Sequence, residues 1–362
     1  MGLHPKTLPR FVAAAVTVAL LQGCPRPPDE PAPRIMELEP IYFTVSRTGD
    51  RIVVKSRQEN DIFEDARKDF ETGHFTRAKT AYAVIARDGT DPAASGTAWF
   101  NIALCELALG QPGAALAALD TAEPLVPEIS QEVHVLQVQA AAMSGDWKRA
   151  RAVGEPLLQT QLPPLWTARV HSYVGEAFFV EQDLPAAARH FDAAVTRVLN
   201  TLPPSEQKSD ALLASAYYRQ ALVYRALFAR IRLKLPTERM TLDLTDKLGL
   251  MRKAEEQFLA AVRVRNSEWS PKAGYESARL YESFAQDLLD AEVPTDLGPE
   301  ELQVYTEELN AKVVPVLRRA QEILRRNIGM CDQFQFPGDW KSTSQARIDA
   351  IQAVVDRLEP KK

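Results

Sequence analysis

The side chains able to do chemistry are few and scattered. The chain holds three cysteines and five histidines. His74 falls in a turn. His134 and His171 share a helix-packing position with Trp99, so satisfied core or semi-buried imidazoles are expected there. His4 belongs to a leading segment that is expected to be removed. Cys105 sits in the apolar run from Asn101 to Leu107 and reads as a small core residue. Cys331 is expected in a late loop, 226 residues further on. No CxxC and no Cys/His cluster calls for a metal. Acidic pairs recur at helical spacing and read as solvated faces. There is no HExxH, phosphate loop, GxSxG elbow or GxGxxG. The chain is therefore expected to be non-catalytic, with no cofactor and no metal.

Cys24 is the exception. Lys6 and Arg10 form a basic flank, and Phe11 to Leu21 an apolar core. That core is too short to span a bilayer, which takes about 20 residues. A basic flank, a short apolar core and small residues near a cut site read as a secretory signal over 1–23. Leu21-Gln22-Gly23-Cys24 closes it, and Pro25-Arg26-Pro27-Pro28 follows at once.

Those four residues resemble the lipobox of bacterial lipoproteins. The resemblance implies cleavage before Cys24 and acylation of its thiol and new amino group, which anchors the chain stably. Pro25 stands where an Asp would imply retention at the inner membrane. The resemblance thus implies an outer-membrane lipoprotein of a Gram-negative bacterium, facing the periplasm. An ordinary cleaved signal with an incidental cysteine is the other reading. Loss of the segment removes Lys6, Arg10 and no acid, so a net charge of −5 becomes −7. An acidic chain with dispersed cations gives no footprint for nucleic acid.

The elements that must position any site are announced by an internal repeat. Gly73, Gly110, Gly145 and Gln182 each precede a helix with alanine at its tight-packing position: Ala78, Ala115, Ala150 and Ala187. Their spacings are 37, 35 and 37, and Ala254 repeats the pattern after 67. Each unit has a preceding helix of related form, as at Trp99, Val174 to Phe178, and Tyr217 to Tyr224. Prolines close the units: Pro92, Pro127, Pro163-Pro164 and Pro203-Pro204. Trp99, Phe178, Phe191 and Phe258 are expected to fill the core. Two short helices cannot bury an apolar face alone, so successive units must stack.

This pattern resembles the tetratricopeptide repeat, a helix–turn–helix of about 34 residues. The resemblance implies an all-α, right-handed α-solenoid of five to six helix pairs. Residues 24–40 read as a Pro-rich spacer behind the lipid anchor. Residues 41–58 read as a small N-terminal β-hairpin, either a cap on the first repeat or an edge strand for a partner. The repeat array is expected over 59–265, and a helical pair with a capping helix over 266–362. Within that last part, Ala273–Leu289 and Glu300–Arg326 form the pair and Ser344–Leu358 the cap, with Trp340 beneath it. Between Leu227 and Lys247 the fifth repeat is interrupted. A lengthened first helix with a loop after Pro236 is expected there, or a basic surface made by Arg225, Arg230, Arg232 and Lys234. Residues 272–326 also resemble the last segment of repeat proteins from myxobacteria-like envelopes, some of which serve gliding motility.

Tetratricopeptide arrays bind peptides on a concave face lined by the first helix of each pair. Carried across, that face comprises Asn60, Phe63, Arg67 and Phe70; Phe100, Leu104 and Leu107; Val135, Gln139 and Met143. It continues with Arg169, Ser172, Glu176 and Phe179, then Tyr218, Leu222 and Arg225. A poorly matched sixth unit would add Tyr275, Arg279 and Glu282. The first two units offer an apolar strip, which marks an interaction site if left open to water. Either a partner or the chain's own hairpin or spacer would fill it. The expected function is that of a non-catalytic protein-binding scaffold or assembly factor in an envelope machine. Its partners would be other envelope proteins. The alternative is an accessory lipoprotein that recruits cell-wall enzymes, or one with an unrecognised hydrolase site.

Overall fold

The computed structural model describes residues 41–48, 51–88, 91–295 and 297–359, with side chains from residue 61 onward. The signal, Cys24 and the spacer lie outside the described residues. Ile41–Thr48 (β1) and Arg51–Gln58 (β2) pair antiparallel, from Ile41 with Gln58 to Thr48 with Arg51. Whether their side chains cap the first helix pair also lies outside what is described.

Every regular element after β2 is a helix, and the chain divides into two compact units at Leu162 and Pro163. In the first unit the pairs are α1 (Glu59–Glu71) with α2 (Phe75–Asp88), α3 (Pro92–Ala108) with α4 (Pro112–Ala122), and α5 (Ser130–Ser144) with α6 (Trp147–Leu157). The second unit holds α7 (Pro164–Val180) with α8 (Leu184–Thr201). After the short α9 (Pro204–Gln207) come α10 (Ala211–Arg230) with α11 (Thr237–Val264), α12 (Trp269–Leu289) with α13 (Pro299–Phe334), and the closing α14 (Trp340–Leu358). Within each unit neighbouring helices pack in chain order, as a tetratricopeptide-like helical repeat requires.

The turns explain why pairs form at all. Gly73, Gly110, Gly145 and Gln182 all adopt positive φ, between 66° and 81°. The residue after each returns a hydrogen bond to a carbonyl five back: His74 to Asp69, Gln111 to Glu106, Asp146 to Ala141 and Asp183 to Phe178, at 2.7 to 3.0 Å. This closes the first helix and aims the chain into the second. Asp146 and Asp183 then accept from Arg149 N and Ala186 N and cap the second helix.

The alanine repeat is the packing seam. Ala78, Ala115, Ala150, Ala187 and Ala254 have no exposed surface. The residues four and seven further on, such as Tyr82 with Ile85 and Phe258 with Ala261, are buried as well. Phe191 and Phe258 lie in the core as expected, whereas Trp99 and Phe178 are only half-buried.

Several boundaries differ from expectation. The basic stretch after Leu227 does not lengthen the first helix: α10 ends at Arg230, and it is the second helix, α11, that is long. The cause is Lys247, which is fully buried. Its ammonium donates to Phe228 O at 2.8 Å and Ile231 O at 2.9 Å and pairs with Asp287 at 2.8 Å. Those bonds satisfy the C-terminal carbonyls of α10 and stop it there. Cys331 lies not in a loop but inside α13, buried. Burial pushes the Cys105 thiol up to about 12. Helix α14 begins at Trp340, whose ring packs on Tyr275 at 5.9 Å.

Candidate protein-binding face

In the first unit the expected apolar strip is closed. Phe63, Phe70, Phe100, Leu104, Leu107, Val135 and Gln139 are all at most 7% exposed. The geometry gives the reason for α1. Phe63 packs on Tyr82 of α2 at 5.8 Å, and Phe70 on Phe75 at 5.1 Å. Both rings serve the contact inside the helix pair. Helix α3 is pressed between α2, α4 and the turn Glu123–Leu125, and only glycine fits its closest approach. A Cβ on Gly96 would lie 2.6 Å from Leu125 Cβ and 2.7 Å from Val126 Cγ1. Of this unit's expected face, Met143 is 40% exposed, and Arg67 is half-buried and paired with Glu64 at 2.7 Å. The side chain of Asn60 lies outside the described residues.

In the second unit the first helices α7, α10, α12 and α14 are joined by charge. Glu176 on α7 accepts from Arg219 on α10 at 2.9 Å. Arg225 on α10 pairs with Glu276 on α12. Arg347 on α14 donates to Glu282 on α12 through Nε at 2.7 Å. That contact raises the Arg347 guanidinium above its ordinary value. Arg279 stands beside them, 49% exposed, its nearest acid being Glu276 at 3.6 Å. Arg219 and Lys272 also lie over the Trp269 ring at 5.1 and 4.8 Å, and Lys272 over Tyr218 at 5.0 Å. Guanidinium and ammonium groups on ring faces gain about 0.5–1 kcal/mol each at such exposure.

The expected residues are only partly gathered here. Glu176, Arg225, Arg279 and Glu282 take part, and Phe179, Arg169 and Leu222 are half-exposed nearby on the same helices. Ser172 and Tyr218 are buried, with Tyr218 held in the core by Phe258 at 5.9 Å. Arg219, Glu276 and Arg347 were not anticipated. Their signal is an alternation of charge sign from one first helix to the next. Between α12 and α14 the surface opens into a cleft of about 300 Å³, with Arg279, Glu282 and Arg347 at its charged side and Leu289, Ile351 and Val354 among its apolar walls.

Of the described histidines, His74 meets the Thr72 hydroxyl at 2.8 Å, and the other three pair with each other or with acid. His134 meets Glu123 at 2.9 Å, and this contact lowers the Glu123 carboxyl below its ordinary range. His171 and His190 face each other through Nδ1 atoms 3.0 Å apart, with the His190 ring stacked on Phe178. Among the described residues no three His, Cys, Asp or Glu side chains are grouped to hold a metal ion. No helix there is long and apolar enough to cross a membrane.

No family model matches the chain, and no curated protein does. Solved structures do superpose on it. The apo form of RapI is 12% identical, covering 81% of this chain and 99% of that one, with a TM-score of 0.46. The C-terminal part of a TPR repeat-containing protein from Cytophaga hutchinsonii is 11% identical, covering 83% and 96%, with a TM-score of 0.43. The human IFIT1 dimer with m7Gppp-AAAA is 11% identical, covering 83% and 72%, with a TM-score of 0.42. The description of this chain as a helical repeat rests on its own turns and alanine seam.

Proposed function

We propose that this chain is a non-catalytic protein-binding scaffold of a bacterial envelope, tethered to the outer membrane through lipid on Cys24 and facing the periplasm. The observation that carries the binding part is the row of charges across α7, α10, α12 and α14. These groups are held in place by one another yet remain accessible, Arg279 most of all. Charges fixed in this way cost little further entropy when a partner docks, and they favour specificity over raw affinity. The partner would lie against this face as an extended or helical protein segment, its apolar side chains reaching the cleft between α12 and α14. Arg169, Phe179 and Leu222 would contribute from the same side. Of the expected residues of the first unit whose side chains are described, Arg67 and Met143 keep exposed surface.

One co-isolation experiment addresses tether and face together. Membranes from cells producing the protein are solubilised, and the protein is recovered with whatever is bound. The Cys24→Ala protein is expected in the soluble fraction, and Arg279→Glu is expected in the membrane fraction but stripped of its partner. A Cys24→Ala protein still in membranes would overturn the tether. An undiminished partner with Arg279→Glu would overturn the face.

A further inference from the structure

The two longest helices of the second unit run past the helices they pack on. Helix α11 has 28 residues against 20 in α10, and its first buried residue is Lys247. Helix α13 has 36 residues against 21 in α12, and its first buried residue is Val313. Residues 237–246 and 299–312 are therefore overhangs. Both leave from the same end of the unit. Glu292 N donates to Leu233 O at 3.2 Å, and Leu235 N donates to Glu292 Oε2 at 2.8 Å, which fastens the segment before α11 to the segment before α13.

The overhangs touch the core through Leu244 and Leu309, which pack against it half-buried, and leave other aliphatic side chains in water. Leu242 is 64% exposed, Val304 60% and Leu302 43%, and Val293 in the segment before α13 is 39% exposed. Helical stretches of ten to fourteen residues are marginal in water by themselves, and several large aliphatics left exposed at one end of a unit mark a contact site. The charge on them is predominantly acidic, although Arg232 and Lys234 stand exposed in the segment before α11. Residues 299–312 carry Glu300, Glu301, Glu307 and Glu308 against Lys312 alone. Residues 237–246 carry Glu238, Asp243 and Asp246 against Arg239, which is already engaged by Asp243 at 2.9 Å.

We propose that these overhangs form a docking surface for a basic amphipathic segment of another protein, one with aliphatic side chains flanked by Lys and Arg. The charge chooses the occupant. A second copy of this chain would set acid against acid, and an anionic lipid surface would be repelled by the same carboxylates. A cationic segment covers the leucines and valines while neutralising their surroundings. This surface stands apart from the face made by the first helices, so either can fail without the other.

The test uses the purified chain and two fluorescent helical peptides of matched leucine pattern, one with lysine and one with glutamate at its polar positions. Anisotropy is expected to show saturable binding of the lysine peptide only, weakening as salt is raised. Reversing Glu300, Glu301, Glu307 and Glu308 to Lys should weaken it by about tenfold or more. Leu242→Gln with Val304→Gln, both at exposed positions, should weaken it with circular dichroism unchanged. Absence of binding, or binding that neither variant alters, overturns the proposal. So does a dimer of the wild type that Leu242→Gln with Val304→Gln converts to monomer, since the occupant is then a second copy.

Discussion

Lys247 shows how one buried charge can cap the end of a neighbouring helix. Its ammonium has three donors, and each finds an oxygen: Phe228 O, Ile231 O and the carboxylate of Asp287. Replacement by methionine keeps the volume but leaves two carbonyls and a carboxylate without their donor. We expect Lys247→Met to destabilise the fold by about 3 kcal/mol, read as a lowered midpoint of urea unfolding. His171 gives a second prediction. Burial first, and the neighbouring His190 and Arg197 after it, lower its imidazole from 6.5 to about 4. The unfolded chain takes up that proton near 6.5, the folded chain only near 4. Between these values the unfolded state binds more protons, so this contribution is complete above 6.5 and lost as pH falls toward 4. Thermal melts across that window should fall more steeply for the wild type than for His171→Gln. The sequence marks His171 as a satisfied core or semi-buried imidazole, and it is half-buried against His190, but its partner and the burial of Lys247 were not legible there. A lysine within a polar stretch and a histidine at a packing position become informative only when their partners, 16 to 40 residues away, are known.

At the scale of elements, the helix pairs were legible wherever the signal is local. A left-handed residue at the turn and an alanine five residues later are read directly from the chain in four units, and those four alanines are buried, as is Ala254. Gln182 in the place of glycine still adopts φ 66°. The expected groove failed in the first unit for a related reason. Phe63 and Phe70 have the right spacing for either face of α1, and only Tyr82 and Phe75 reveal that they turn inward. The start of α13 was legible to within one residue, Glu300 expected against Pro299 observed, whereas its end at Phe334 and the early start of α11 at Thr237 were not. The start of α11 was hidden because its first ten residues bury little and carry no clear hydrophobic period. The tight crossing at Gly96 yields the prediction at this scale. Gly96→Val must displace Leu125 and Val126, and we expect a loss of about 1–3 kcal/mol. Calorimetry checks this, and an unchanged transition temperature would mean that the turn after α4 yields freely.

For the whole molecule, the account makes the second unit's first-helix charges the point of contact with a partner, and makes the buried strip of the first unit part of the framework. Ser283 lies in the cleft between α12 and α14 and is exposed, and no ion pair of the face depends on it. Arg189 is equally exposed on α8, a second helix. The most direct measurement places a photo-crosslinking residue at each of these positions in turn, in cells that make the protein natively, and identifies the adducts by mass spectrometry. The account predicts one dominant protein adduct from Ser283 and none of it from Arg189. Equal adducts from both positions, or no protein adduct from Ser283, would contradict it.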